Sequence, residues 1–143
     1  MTASAIKILF LCTGNSCRSQ MAEGWARMLK NGVIEAYSAG IEPRELHPLA
    51  VKVMAEAGVD ISRQKSKHVR IFKDIPFDFV VTVCDQARES CPVFPYKAKM
   101  VHRSFEDPAA AQGTEEEVLS VFRRVRDQLR DFIAGLPGSV KEG

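Results

Sequence analysis

Residues 6–11, Ile-Lys-Ile-Leu-Phe-Leu, run straight into Cys12-Thr13-Gly14-Asn15-Ser16-Cys17-Arg18-Ser19. An apolar, strand-like run ends in a thiol, and five residues later a guanidinium and a hydroxyl open a helical pattern. That order suits a cradle holding a tetrahedral oxyanion against a nucleophile. Gly14 and Asn15 readily adopt left-handed or tight backbone conformations, so successive N–H groups can turn inward as an anion-binding nest. The helix that follows presents its unpaired N–H groups and positive dipole end to the same point. Arg18 adds a planar fork that matches two oxygens of a phosphate-like anion, and Ser19 can donate to the Cys12 sulfur. In such a field the thiolate is favoured, and the expected fall in the Cys12 pKa is from ~8.5 into the range of roughly 3.5–7.5. A buried cysteine followed by an ordinary turn is the competing reading.

Length and composition bound the rest. A chain of 143 residues fits one domain with a real core, and 45% apolar with 27% charged residues is a soluble globular composition. A net charge of +2, with basic residues scattered among acidic ones, implies neither nucleic acid nor a membrane surface as partner. The N-terminal apolar run is too short for a signal peptide, is interrupted by Lys7, and has Leu9 and Leu11 where a cleavage site needs small residues. The expected location is cytoplasmic, so Cys12, Cys17, Cys84 and Cys91 read as catalytic, redox or metal-binding rather than as a disulfide frame. Neither Cys12/Cys17 nor Cys84/Cys91 has Cys-x-x-Cys spacing, so no metal is expected.

Along the chain, residues 17–31 read as a helix with Met21, Trp25, Met28 and Leu29 on one face and Gly32 closing it. Residues 33–38 read as a strand leading into an Ala39-Gly40 turn. His47-Pro48 opens a second helix, with Leu49, Val53, Met54 and Ala57 as its stripe and Gly58 as its stop. Residues 61–75 are polar and basic, a solvated connection with a short helical piece. Residues 77–83 are the clearest strand, apolar nearly throughout as a doubly buried strand should be, and residues 99–102 form a weaker one. Residues 114–134 predict a long amphipathic helix capped by Thr114, with acids first and bases later. Gly135, Pro137 and Gly138 end it. Strands alternating with helices argue for a single-domain parallel α/β sandwich over residues 1–143, with 1–5 and 136–143 as tails.

In such a sheet ligands bind beyond the carboxyl ends of the strands. Cys12 follows the first strand, Cys84 the third, and Asp107 lies just past the fourth, so the three should face one edge. A nucleophile, a second thiol and a proton-transferring carboxyl then make one candidate site.

The Cys12-x5-Arg18-Ser19 loop with its late Asp107-Pro108 resembles the low-molecular-weight tyrosine phosphatase fold. Residues 80–84 (Val-Val-Thr-Val-Cys), the Cys84-x6-Cys91-Pro92 segment and the run from Cys12 to Trp25 together resemble the thioredoxin-coupled arsenate reductases, over about residues 6–132. The resemblance implies a three-layer sandwich with a four-stranded parallel sheet in the order 2-1-3-4 and helices on both faces. It implies arsenic detoxification by a thiol relay, with no cofactor. Thr13 to Ser19 bind the oxyanion (arsenate, with phosphate or sulfate as mimics), Cys12 attacks arsenic, and Asp107 assists the departing oxygen. Cys84 then takes Cys12 into a disulfide, and Cys91 moves it to Cys84–Cys91 for reduction by thioredoxin, or by glutaredoxin and glutathione. The polar linker of residues 85–90 is suited to the unwinding this needs.

Departures from the resemblance shape the expectation further. Gln20 stands where the phosphatases usually have Pro, and Ala109-Ala110 where they have tyrosines, which removes an aromatic wall for phosphotyrosine. Asn15, Glu23 and Ser38 match three ligands of a potassium site found in some reductases, but Lys67 takes the fourth position, and its ammonium should pair with Glu23 in the cation's place. Cys17 reads as structural, and His47, His68 and His102 as surface or capping residues. Glu106 is set aside as the acid in favour of Asp107. The alternatives kept open are a phosphomonoesterase and a non-catalytic oxyanion-binding or redox-sensing module. Small size and no apolar surface stripe favour a monomer.

Overall fold

A computed structural model of the chain describes residues 5–91 and 98–141; Pro92 of the Cys84–Pro92 segment, residues 1–4 and residues 142–143 lie outside the described residues. Strands β1 (Ile6–Cys12), β2 (Ile34–Gly40), β3 (Phe79–Thr82) and β4 (Lys99–His102) all pair in parallel, in the order β2-β1-β3-β4. In β1, Ile8, Leu9, Phe10 and Leu11 are all fully buried, and in β3 Phe79, Val80, Val81 and Thr82 are buried as well. Consecutive buried residues mean that both faces of the two central strands are covered, as a parallel sheet requires. Each such aliphatic or aromatic side chain contributes about 1.5–3 kcal/mol on leaving water.

The cover comes from α1 (Arg18–Leu29), α2 (Pro48–Glu56), α3 (Asp85–Glu89), α4 (Glu115–Ala134) and α5 (Gly138–Lys141). Thr114 and Glu117 form a reciprocal capping box at the start of α4, which satisfies two of the N–H groups that a helix end leaves without partners. Leu119, Phe122, Val125, Leu129 and Ile133 form the buried stripe of α4. The indole of Trp25 on α1 donates to the Arg126 carbonyl at 3.0 Å, and Glu56 of α2 receives both Arg123 (2.9 Å) and Arg126 (3.2 Å).

Four expectations are corrected. Met28 and Leu29 are 53% and 40% exposed, because α1 is buried over Ser19 to Ala26, against β1, β2 and α4, while its last turn is solvated. Ala39 and Gly40 are not a turn: they continue β2, in register with Leu11 and Cys12. The segment from 136 is not a tail through 141, since Leu136 and Val140 are buried in the core and Lys99 Nζ donates to the Val140 carbonyl at 2.9 Å. Residues 61–75 contain the short helical piece, a 3₁₀ turn at Val69–Phe72, yet they are more than a solvated connection. Their Gln64-to-Lys67 portion holds the Cys12 loop from behind. No helix among the described residues is long and apolar enough to cross a membrane.

Candidate active site

The sheet order places a topological switch between β1 and β3, where chain connections leave in opposite directions and a crevice opens. Leu11 is in register with Thr82. Two residues further along each strand, Thr13 meets Cys84, and Thr13 Oγ1 lies 3.3 Å from Cys84 Sγ. Strand register alone therefore brings the second thiol beside the residue that follows Cys12.

The loop after β1 owes its shape to bonds on its outer side. The carbonyls of Cys12, Thr13, Gly14 and Ser16 accept from the backbone N–H groups of Ile41 (3.2 Å), Glu42 (2.8 Å), Arg44 (2.8 Å) and His47 (3.1 Å). Since a peptide is planar and trans, a carbonyl turned outward turns the next N–H inward. The N–H of Asn15 confirms this by donating to Cys12 Sγ at 3.2 Å. Asn15 takes a left-handed φ of 49° to close the turn, as asparagine tolerates. Gly40 presses against the loop from β2: a Cβ there would sit 2.6 Å from the Thr13 carbonyl oxygen and 2.9 Å from the Asn15 nitrogen.

Around the opening lies a cleft of ≈ 600 Å³ lined by Cys12, Thr13, Gly14, Ser16, Cys17 and Arg18 of the loop, by Cys84 and Gln86 of the second segment, and by Asp107 and Ala109. Asn15 and Ser19 are fully buried beneath it. Arg18 is held in place by donating to the Phe105 carbonyl at 3.1 Å, and its Nη2 is 3.7 Å from Asp107 Oδ2. Asp107 also accepts from the Ala109 N–H at 3.0 Å, leaving its side chain 44% exposed at the cleft rim. Glu106 turns away to receive Arg124 at 2.6 Å. Cys17 is the N-cap of α1 without a side-chain capping bond, so the first N–H groups of the helix are not occupied by a cap.

Cys12 Sγ lies 2.7 Å from Ser19 Oγ. The expected depression of its pKa is corrected: burial pushes the Cys12 thiol up, while the Ser19 bonds, the Arg18 charge and the Asn15 N–H pull it down. Burial likewise pushes Cys17 up to about 12, so that thiol is inert near neutrality.

The relay candidates are more lightly held. Cys84 caps α3, its sulfur accepting from the Ala87 N–H at 3.4 Å, and it is buried. Cys91 is half-buried, does not line the cleft, and has its thiol pushed up by burial. All four cysteines are thiols. Among the described residues, no group of three or more His, Cys, Asp or Glu is placed to hold a metal ion. At the position matched to the potassium site, Lys67 Nζ stands 3.9 Å from Glu23 Oε1 and bonds the Lys65 carbonyl, and Glu23 also receives Ser38 at 2.5 Å and Arg27 at 2.5 Å.

His47 and His68 cap α2 and the 3₁₀ turn, accepting from Leu49 (3.1 Å) and Arg70 (2.9 Å), and His47 also lines the cleft. His102 joins Thr82 (2.8 Å) to Asp85 (2.9 Å). Sequence reasoning missed Arg44, Glu45 and Gln86 in the lining, Gly40 beneath the loop and the supporting role of residues 64–67. A glycine two residues past a serine at a strand end was the one available signal for Gly40.

Comparison with known proteins agrees with this geometry. A family described as "Low molecular weight phosphotyrosine protein phosphatase" matches residues 7–143. The arsenate reductase of Oceanobacillus iheyensis is 53% identical over 128 residues, covering 88% of this chain and 91% of the relative. A solved structure described as "An arsenate reductase in the phosphate binding state" is 34% identical with a TM-score of 0.72, covering 92% and 95% of the two chains. A low molecular weight protein tyrosine phosphatase from T. tengcongensis is 29% identical with a TM-score of 0.75, covering 92% and 97%. The chain belongs to the low molecular weight phosphotyrosine protein phosphatase family, and within it stands among relatives named arsenate reductases.

Proposed function

We propose that the chain reduces arsenate to arsenite by a relay through Cys12, Cys84 and Cys91. The observation that carries this is the 3.3 Å contact between Thr13 Oγ1 and Cys84 Sγ, which sets a second thiol at the wall of the oxyanion cleft. A hydrolytic phosphatase has no use for a sulfur there. In the proposed sequence the Cys12 thiolate attacks arsenic(V) and forms an S–As bond, with Asp107 protonating the departing oxygen. Arg18 and the inward N–H groups hold the remaining oxygens. The Cys84 thiolate then attacks the Cys12 sulfur; the S–As electron pair goes to arsenic, arsenite leaves, and two sulfurs have been oxidised to a disulfide. Cys91 attacks Cys84, frees Cys12 and leaves a Cys84–Cys91 disulfide for an external dithiol, thioredoxin or a glutaredoxin and glutathione pair.

Cys91 lies seven positions after Cys84, about 10 Å along an α-helix at 1.5 Å per residue. A disulfide needs Cα atoms within ~7 Å, so α3 must open. That helix has five residues and buries only Ala87, which makes the opening inexpensive.

Phosphomonoester hydrolysis is the second reading, favoured by the completeness of Cys12, Arg18 and Asp107. Against a phosphotyrosine substrate stands Ala109 in the lining, where no Phe, Tyr or Trp lies among the described residues. The test is arsenate-dependent NADPH consumption with thioredoxin and thioredoxin reductase, on the parent protein, Cys84→Ser and Cys91→Ser. The relay predicts turnover by the parent alone; equal turnover by all three rejects it, and consumption of aryl phosphate only assigns a phosphatase.

A further inference from the structure

Beneath the cleft, a line of polar side chains leads from Cys12 to the loop at residues 64–67, and its donors and acceptors can be assigned throughout. Gln20 Nε2 must be the atom 3.0 Å from the Lys65 carbonyl, which only accepts. Gln64 Nε2 must be the atom 3.0 Å from the Gln20 carbonyl, and it reaches Gln20 Oε1 at 2.7 Å. At Asn15 the Lys67 N–H only donates, so the atom 2.9 Å from it is Oδ1. That same Oδ1 and the Asn15 carbonyl also lie 3.0 Å from Gln20 Nε2, whose two hydrogens serve these two acceptors and the Lys65 carbonyl, one of them shared. Asn15 Nδ2 is left to donate to Ser19 Oγ at 2.8 Å. With its oxygen accepting there, Ser19 keeps its own proton free to donate to Cys12 Sγ, 2.7 Å away, once that sulfur is a thiolate that can only accept.

Asn15, Ser19 and Gln20 are fully buried. A reversed amide among them would set donor against donor or acceptor against acceptor and leave buried polar groups unpaired. Gln20 also grips the carbonyl of the one non-glycine residue at positive φ among the described residues. Gln64 is half-buried, lies 44 residues from Gln20 and does not line the Cys12 cleft.

We propose that the Gln64–Gln20 amide pair is a positioning device: it fixes the Asn15 amide, which makes Ser19 a donor to the Cys12 sulfur and favours the thiolate. The inference rests on the reading of Cys12 as nucleophile, though not on arsenate as its substrate. Ser19 supplies the largest pull against the burial that raises the Cys12 thiol. The other titratable or charged groups around the cleft, chiefly Arg18, Cys17, Arg44, His47, Cys84 and Asp107, are left in place by substitution at Gln64.

The test measures the rate at which iodoacetamide alkylates Cys12 as a function of pH in the full-length protein, with the labelled peptide identified by mass spectrometry. Iodoacetamide is neutral and needs neither arsenate nor a reductant. Gln64→Met removes both donated bonds, and Gln64→Glu places a carboxylate against Gln20 Oε1. In each variant the midpoint of the Cys12 profile is expected to rise by at least ~0.5 pH unit, about a threefold loss of rate at pH 7. A raised midpoint in a variant that still alkylates supports the device even if arsenate is never reduced. A parental midpoint in either folded variant overturns it, including the case in which only the melting temperature falls, because that outcome assigns Gln64 a purely structural role.

Discussion

The two strand ends that meet at the cleft are built to opposite standards. After β1, four outward carbonyls are tied to residues 41–47, and the side chains beneath are fully buried and bonded to one another. After β3 the chain enters a five-residue helix that buries one side chain and is fastened by a Cys84 cap, Thr13 to Gln86 at 3.3 Å, and His102 to Asp85 at the surface. Surface pairs of that last kind contribute little, about 0–1 kcal/mol. In the proposed relay this contrast would suit the two sulfurs to different duties. One must stay still while an oxyanion is aligned on it, and the other must travel.

The comparison breaks first at Cys12. Cys12→Ser is expected to lower arsenate turnover at least ~10³-fold, as loss of a nucleophile does elsewhere, with melting unchanged within a few degrees; steady-state NADPH consumption and a thermal scan measure both. Cys91→Ser separates the two ends: a quenched single turnover should still release one arsenite per enzyme while steady-state turnover stops, and absence of that first equivalent would move Cys91 into the early chemistry. Gly40→Ala tests the rigid end, because the methyl would meet the Thr13 carbonyl and the Asn15 nitrogen, both backbone. Displacing the loop by the several tenths of an ångström required should cost up to ~10²-fold in turnover and about 1–3 kcal/mol in stability, read by kinetics and urea titration.

Ser19→Ala is gentler. It removes the strongest group opposing the burial of Cys12, so the thiolate forms only at higher pH and the rising limb of the rate profile should move to alkaline values. Each whole pH step that the limb moves lowers the rate at pH 7 about tenfold. A limb that stays in place detaches Ser19 from the sulfur. Smallest is the loose end: Gln86→Gly in α3 should lower stability by about 1 kcal/mol or less, a melting change of roughly 2–4 °C, and leave turnover within about twofold. A large kinetic loss there would show that α3 needs its folded form during the rate-limiting step.

How much of this was legible in the sequence follows the range of the contacts. The buried runs of β1 and β3, the Thr114 cap and the stripe of α4 are local patterns, and they were readable because burial on both faces or at a 3.6-residue period leaves its mark within one window. Asp107 and Cys84 could be placed at the Cys12 edge because strand ends in a parallel sheet share a side. Gln64, Ser66 and Gly40 could not, since Gln64 meets Gln20 across 44 residues and Ser66 meets Gly14 across 52. No periodicity encodes such a meeting. Nor does composition show that Met28 and Leu29 fall beyond the buried part of α1, or that Leu136 and Val140 are buried although Gly135, Pro137 and Gly138 stand among them. The direction in which the Cys12 thiol is moved escapes the sequence for a related reason: the motif displays the charges and dipoles that favour a thiolate, while the opposing burial exists only in the folded chain.

Trp25 is the single tryptophan of the chain, 4% exposed and bonded through its indole to α4. Its emission is therefore a built-in optical gauge of whether the helix that carries the oxyanion loop remains docked. Since α3 supplies neither partner of that bond, oxidation that opens α3 should leave the fluorescence maximum where it is, and a red shift would report melting of the rigid end. One chromophore thus separates breathing of α3 from loss of the fold without any label.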